Sequence, residues 1–200
     1  MHFIFITRNY KPTNLTQVMQ SVRDVFKDSV HTYKHILMAD LTHGAHKKDF
    51  VPFVDDKTEL YFVDKKQEND EFLDIAMDLT IRQLSDPDDS WVFLLDDDNI
   101  LHPAFLGVCP YCADYDAVVF RTAGREDYGS EAVLNGNAVG HMDWSNFVTK
   151  LGIFRSIPIY HGGNTSRCED PIFFNKVTAA GYKVKIVDQI FAYYNKLPKP

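Results

Sequence analysis

The chain has 200 residues, 45% of them hydrophobic and 14% aromatic, which is enough apolar mass for one full core and too much for a disordered segment. A net charge of −7 excludes a broad basic face, and with it a nucleic-acid or anionic-membrane partner. No apolar run approaches the roughly 20 residues of a membrane span, Met1 to Asn9 is too short for a signal peptide, and three cysteines suit a reducing, cytoplasmic compartment.

His2 to Thr7 reads as a buried first strand, followed by a polar Arg8-Asn9-Tyr10-Lys11-Pro12 loop. Thr13 or Asn14 can cap a helix whose Leu15, Val18, Met19, Val22, Val25 and Phe26 follow helical spacing. Ile36 to Ala39 is the apolar end of a second strand, stopped by Asp40. Residues 41–57, with His43 and His46, read as an irregular surface loop. Leu60 to Val63 is a third strand ending at Asp64, and a second amphipathic helix follows with Phe72, Ile75, Ala76 and Leu79 on one face. After the turn at Asp86 to Asp89 comes the apolar run Trp91 to Leu95. This alternation predicts an α/β fold with a mixed, mostly parallel central sheet flanked by helices.

The second hundred residues are less regular. A short helix is expected over 103–108, followed by Cys109-Pro110-Tyr111-Cys112 as a tight turn with packed thiols. Ala117 to Phe120 is a strand leading to Arg121. Residues 122–142, with Gly124, Gly129, Gly136 and Gly140, read as a long loop or short hairpin. A helix is expected over Trp144 to Leu151, a flexible loop over His161 to Thr165, a helix from Pro171 to near Gly181, and last strands over Tyr182–Val187 and Ile190–Tyr194. The whole reads as one domain, 1–200, with a loop-rich second half. The Leu197-Pro198-Lys199-Pro200 ending reads as a tail or linker, so the chain is expected to be a domain of a longer protein.

The chemistry gathers at Asp96-Asp97-Asp98. Three adjacent carboxylates at a strand end repel one another unless a cation or solvent offsets them. In extended chain Asp96 and Asp98 would point the same way, about 7 Å apart, and could hold one hard divalent ion together with a phosphate. The other reading is an acidic turn capping a helix from Pro103. The buried strand in front favours a site, since open α/β sheets keep ligands at the carboxyl ends of their strands.

Taken in order, these features resemble the GT-A-fold nucleotide-sugar glycosyltransferases, of the small family-2-like bacterial or large-DNA-virus type. The carriers are a first strand with a Thr7-Arg8-Asn9 loop, an acid after the second strand (Asp40), and an Asp-x-Asp motif after a buried strand. Downstream, Gly162-Gly163 is followed by Glu169-Asp170, a helix, and Ala-Gly-Tyr-Lys-Val. The resemblance spans roughly residues 2–195 and implies that 1–100 bind the nucleotide and 101–200 the acceptor. It implies a UDP- or GDP-linked sugar donor, a glycan or glycoprotein acceptor, Mn²⁺ or Mg²⁺ as cofactor, and inverting transfer. Asp98 would be the main metal ligand, with Asp96 sharing the ion or holding the ribose, Asp97 beside them, and His161 or His141 as a third ligand. Thr7, Arg8, Asn9, Asp40 and Gly163 would line the donor, and Asp170, or Glu169, would be the general base.

Plainer alternatives stand beside these roles. Asp170 before Pro171 is a standard helix start, Asp40 can begin an Asx turn, and Asp143-Trp144, a candidate sugar-stacking pair, can equally be a capping acid beside a buried indole. Cys109-Pro-Tyr-Cys112 matches the dithiol of glutaredoxins, which makes a thiol oxidoreductase one competing class. Zinc held with Cys168 or His102 is a weaker variant of that reading. A sugar nucleotidyltransferase and a non-catalytic carbohydrate-binding module are the other competitors.

Overall fold

The computed structural model describes residues 1–9, 12–41, 44–63, 71–124, 142–159 and 169–197. Strands β1 (His2–Asn9), β2 (Thr32–Asp40), β3 (Thr58–Val63) and β4 (Trp91–Leu94) are joined in parallel. Helices α1 (Leu15–Phe26), α2 (Lys47–Phe50) and α3 (Glu71–Gln83) lie between them in the chain. The second half adds β5 (Ile100–Leu101), α4 (Cys109–Cys112), β6 (Ala117–Ala123), β7 (Phe147–Lys150), α5 (Leu151–Ser156), α6 (Glu169–Ala179) and β8 (Val184–Tyr193). The strands form one eight-stranded sheet ordered β3-β2-β1-β4-β7-β6-β8-β5. The α/β class and the mixed sheet are therefore as expected. No described helix is long and apolar enough to cross a membrane.

Why the sheet holds is plain from burial. Phe3, Ile4, Phe5 and Ile6 of β1 and all four residues of β4 are essentially inaccessible, as central strands covered on both faces must be. One face packs Phe3, Phe5, Phe93, Phe105 and Phe120 against Val18, Val22 and Phe26 of α1. The other packs Ile4, Ile6, Val92 and Leu94 against Met77, Ile81, Phe173, Phe174 and Val177.

Several expected elements are corrected. Arg8 and Asn9 continue β1 rather than opening a loop, because β2 offers Met38 and Ala39 as ladder partners. The predicted helix over Trp144 to Leu151 is instead a 3-10 turn at Trp144–Asn146, then β7, then α5. β7 is wedged antiparallel between β4 and β6. The two expected last strands are one, bent where its register with β6 shifts around Arg121. Asn14 makes no side-chain cap, residues 47–53 are helical rather than irregular, and α3 buries Met77 and Ile81 while Leu79 is exposed.

Candidate functional site

The chain runs from β1 outward to β2 and β3, then returns to the other side of β1 as β4. The carboxyl ends of β1 and β4 thus flank a topological switch point, where adjacent crossovers leave in opposite directions and open a crevice. Thr7, Arg8 and Asn9 end one strand, and Leu95 to Asp98 follow the other.

The two ends are clamped side chain to side chain. Arg8 donates from Nε to Asp96 Oδ1 (2.8 Å) and from Nη2 to Asp96 Oδ2 (2.7 Å), a fork-to-fork pair of the strong, orientation-fixing kind. One residue on, Asn9 Nδ2 donates to Asp97 Oδ2 at 2.9 Å. Asn9 and Asp97 are both buried, and the Asn9 Oδ1 acceptor has no hydrogen-bond partner among the described residues. An orphaned buried acceptor costs about 1–3 kcal/mol, and a ligand N–H or O–H would satisfy it. Asp40, buried at the end of β2, and half-buried Asp98 lie on the same edge of the sheet.

Thr7 does structural work. Its hydroxyl is fully buried, donates to Leu95 O at 2.7 Å, and lies 2.8 Å from His35 Nε2 on β2. Its one proton goes to the carbonyl, so it accepts from an Nε2–H, which fixes the tautomer of His35. Thr7 therefore ties β1 to β2 and to the end of β4 from inside. Nothing in the sequence near His35 marked this.

Burial holds the imidazole of His35 neutral, with its pKa lowered from 6.5 to about 4. In the unfolded chain the group protonates below about 6.5 and in the native state only near 4, so stability drains as pH falls through that window. The expected loss is about 3 kcal/mol. Urea unfolding at pH 7 and pH 4.5 should show it in the parent and show a smaller acid loss in His35→Gln. Equal acid losses would remove His35 as the cause.

β8 runs parallel to β6, and β6 runs the same way as β4 through antiparallel β7. Helix α6 returns along the sheet to feed β8, so its first turn, with Glu169 and Asp170, lies at the carboxyl edge of the sheet. Glu169 is 4% exposed, while Asp170 is half-buried. Asp143 also starts from this edge, ahead of β7. It caps the 3-10 turn, its Oδ1 accepting from Ser145 N and Oγ at 3.0 and 2.7 Å. Trp144 is 5% exposed and packs against Phe147, Phe154 and Phe173, which makes it a core indole beside a capping acid. His161, Gly163, His141, His43, Asp64, Arg167 and Cys168 lie outside the described residues.

Among the described residues no three His, Cys, Asp or Glu side chains gather as a cation cage. Asp96 pairs both its oxygens with Arg8, which leaves each oxygen a further lone pair. The remaining donor set fits an Mg²⁺ or Mn²⁺ ion that takes one or two carboxylates and completes its shell with substrate phosphates.

The Cys109-Pro-Tyr-Cys112 motif is a turn with packed thiols, as expected, formed as one turn of helix, and it lies ahead of β6 at the opposite, amino edge. Both thiols are buried and free, and burial pushes both of their pKa values up. A buried thiol held protonated is a poor nucleophile, so the geometry gives the redox alternative no support.

No protein-family model and no curated protein matches the sequence. Solved structures do match in shape. TarS 1–349 of S. aureus in complex with UDP-GlcNAc superposes with a TM-score of 0.71 at 13% identity, over 100% of this chain and 59% of that one. The same fragment without that ligand gives 0.69 at 12%, over 96% and 60%. The 4-diphosphocytidyl-2C-methyl-D-erythritol synthase of Anaerococcus prevotii DSM 20548 gives 0.59 at 12%, over 99% and 90%. At such identities the likeness shows the fold, which is a GT-A-like, Rossmann-type α/β sheet. The chain spans about 60% of the TarS fragment it matches.

Proposed function

We propose that the chain transfers a sugar from a UDP- or GDP-linked donor to a hydroxyl of a glycan or glycoprotein acceptor, with inversion. The observation that carries this reading is the clamp of Arg8 to Asp96 and Asn9 to Asp97 across the switch point, beside Asp98. Arg8 and the orphaned Asn9 acceptor face the donor's nucleoside and phosphate groups, and Asp40 accepts from the base or ribose. Asp98 would hold an Mn²⁺ or Mg²⁺ ion, which would neutralise charge on the departing diphosphate. Asp170 takes the proton of the acceptor hydroxyl as that oxygen bonds to the sugar's anomeric carbon. The bond from that carbon to the diphosphate breaks on the opposite face, which inverts the centre.

The likeness to the A. prevotii synthase favours one competitor, nucleotidyl transfer on the same fold. That chemistry wants a glycine-rich basic loop after the first strand, and residues 8–14 contain no glycine. Thermal melting with UDP, GDP and CTP, each with and without Mn²⁺, separates the two. A diphosphate at 100 times its Kd should add about 2.7 kcal/mol, raising the melting temperature by about 5–11 °C. The rise should need Mn²⁺ and be lost in Asp98→Ala. No shift with any nucleotide would sink the transferase reading, and a shift with CTP alone would favour the competitor.

A further inference from the structure

The acidic turn has two ends, and only the first is held by β1. After Asp96 the chain turns, Asn99 N donating to Asp96 O at 3.1 Å, and enters the short strand β5. β5 does not pair with any of the four parallel strands. It pairs with the last strand of the chain, Ile100 opposite Tyr193 and Leu101 opposite Ala192, and His102 N donates to Phe191 O at 3.1 Å.

Past the end of β8 the tail continues the same zipper onto the turn itself. Asn195 N donates to Asn99 Oδ1 at 2.8 Å, and Leu197 N donates to Asp98 O at 2.9 Å. Asn99 is 1% exposed, so its amide is a built, desolvated contact rather than a surface encounter. Asn195 sits at φ 49°, a left-handed conformation that asparagine tolerates better than most residues and that turns the tail toward the acids. Leu197 packs against the aromatic face of the core.

We infer that Asn99 and the backbone of residues 195–197 are positioning groups for Asp98, so that the ion-binding geometry of the donor site is set jointly by β1 and by the chain's C-terminal tail. This rests on the donor-site reading above and deepens it. A carboxylate in a turn anchored only at Asp96 and Asp97 would sample several orientations, and binding would then have to select one of them. Two hydrogen bonds from the tail remove that freedom at Asp98 and at the residue after it.

The test measures the Mn²⁺ concentration that gives half of the maximal melting shift at fixed UDP, or GDP if the panel selects it. Asn99→Ala removes the side-chain acceptor, and Leu197→Pro removes the N–H given to Asp98. Leu79→Ala, at an exposed position of α3, is the control. A lost hydrogen bond of ordinary strength corresponds to about a tenfold change in an equilibrium. Asn99→Ala and Leu197→Pro should therefore raise the half-point about tenfold, and Leu79→Ala should leave it near the parent's. A general loss of structure would lower the unliganded melting temperature without moving the half-point. If Asn99→Ala fails to fold, Leu197→Pro decides alone. Parental half-points in both, with Asp98→Ala still abolishing the shift, would overturn the positioning role and leave the donor site standing. If the parent shows no Mn²⁺-dependent shift, the donor-site reading fails and this inference falls with it.

Discussion

Asp170→Asn is expected to slow sugar transfer by about a hundredfold to ten-thousandfold, the usual contribution of a positioned general base, while nucleotide binding is retained. The asparagine keeps the size of the side chain in the first turn of α6, so the fold should survive. What it loses is the carboxylate's capacity to take the acceptor's proton. Topology places this side chain: α6 must run back along the sheet before β8, which brings its first turn to the edge where the acidic turn lies. Burial separates the two adjacent acids, Glu169 being withdrawn from solvent and Asp170 half-buried. Initial rates, read beside the melting shift with nucleotide, check the expectation. Parental rates would remove Asp170 from the base role.

Phe5→Ala is expected to cost about 3–5 kcal/mol of stability, as full truncation of a buried phenylalanine does. For a chain of this size that is a drop of about 6–20 °C in melting temperature. Phe5 is fully buried in β1. Its ring lies 5.7 Å from that of Phe26, 6.3 Å from Tyr33, 6.0 Å from Phe93 and 5.6 Å from Phe105, and 6.2 Å from the imidazole of His35. One side chain thus joins α1, β2, β4 and the segment after β5, so the cavity left behind borders elements that cannot all move in. Leu79→Ala, at a 53% exposed position of α3, should change stability by less than about 0.5 kcal/mol. Denaturant unfolding of both variants checks the contrast, and a Phe5→Ala loss no larger than that of Leu79→Ala would refute it.

The regular first half was legible because its strands are apolar runs with polar stops and its helices carry a clear stripe. The end of β4 was legible for the same reason: Trp91 to Leu95 could only be buried, and Asp96 had to mark its end, although Asp96 to Asn99 then form a turn rather than the extended chain expected. What stayed hidden depends on partners distant in sequence. Phe147 to Lys150 is a four-residue strand that runs straight into a helix, so no period of two has room to declare itself. Asp188 and Gln189 read as a break, yet they sit where the strand bends at a register shift. Arg8 and Asn9 looked like loop residues because their polarity is matched by Asp96 and Asp97, which neighbour them only once β1 and β4 are side by side. The commitment of Thr7 to His35 and Leu95, and of Asn99 to Asn195, is pairwise and leaves no local pattern at all.

The insertion of β7 between β4 and β6 has a consequence for how the protein is made. The first four strands follow one another closely and can associate as the chain emerges, yet the outer edge of β4 waits for residues 147–150. At translation speeds of about 5–20 residues per second, that apolar edge stays open for several seconds. An unpaired hydrophobic strand is a template for association with other chains. The sheet is then completed only when β8, the last strand to be synthesised, seats against β6 and captures β5. The nascent chain therefore carries its greatest aggregation hazard midway through synthesis, and chaperone contacts would matter most there.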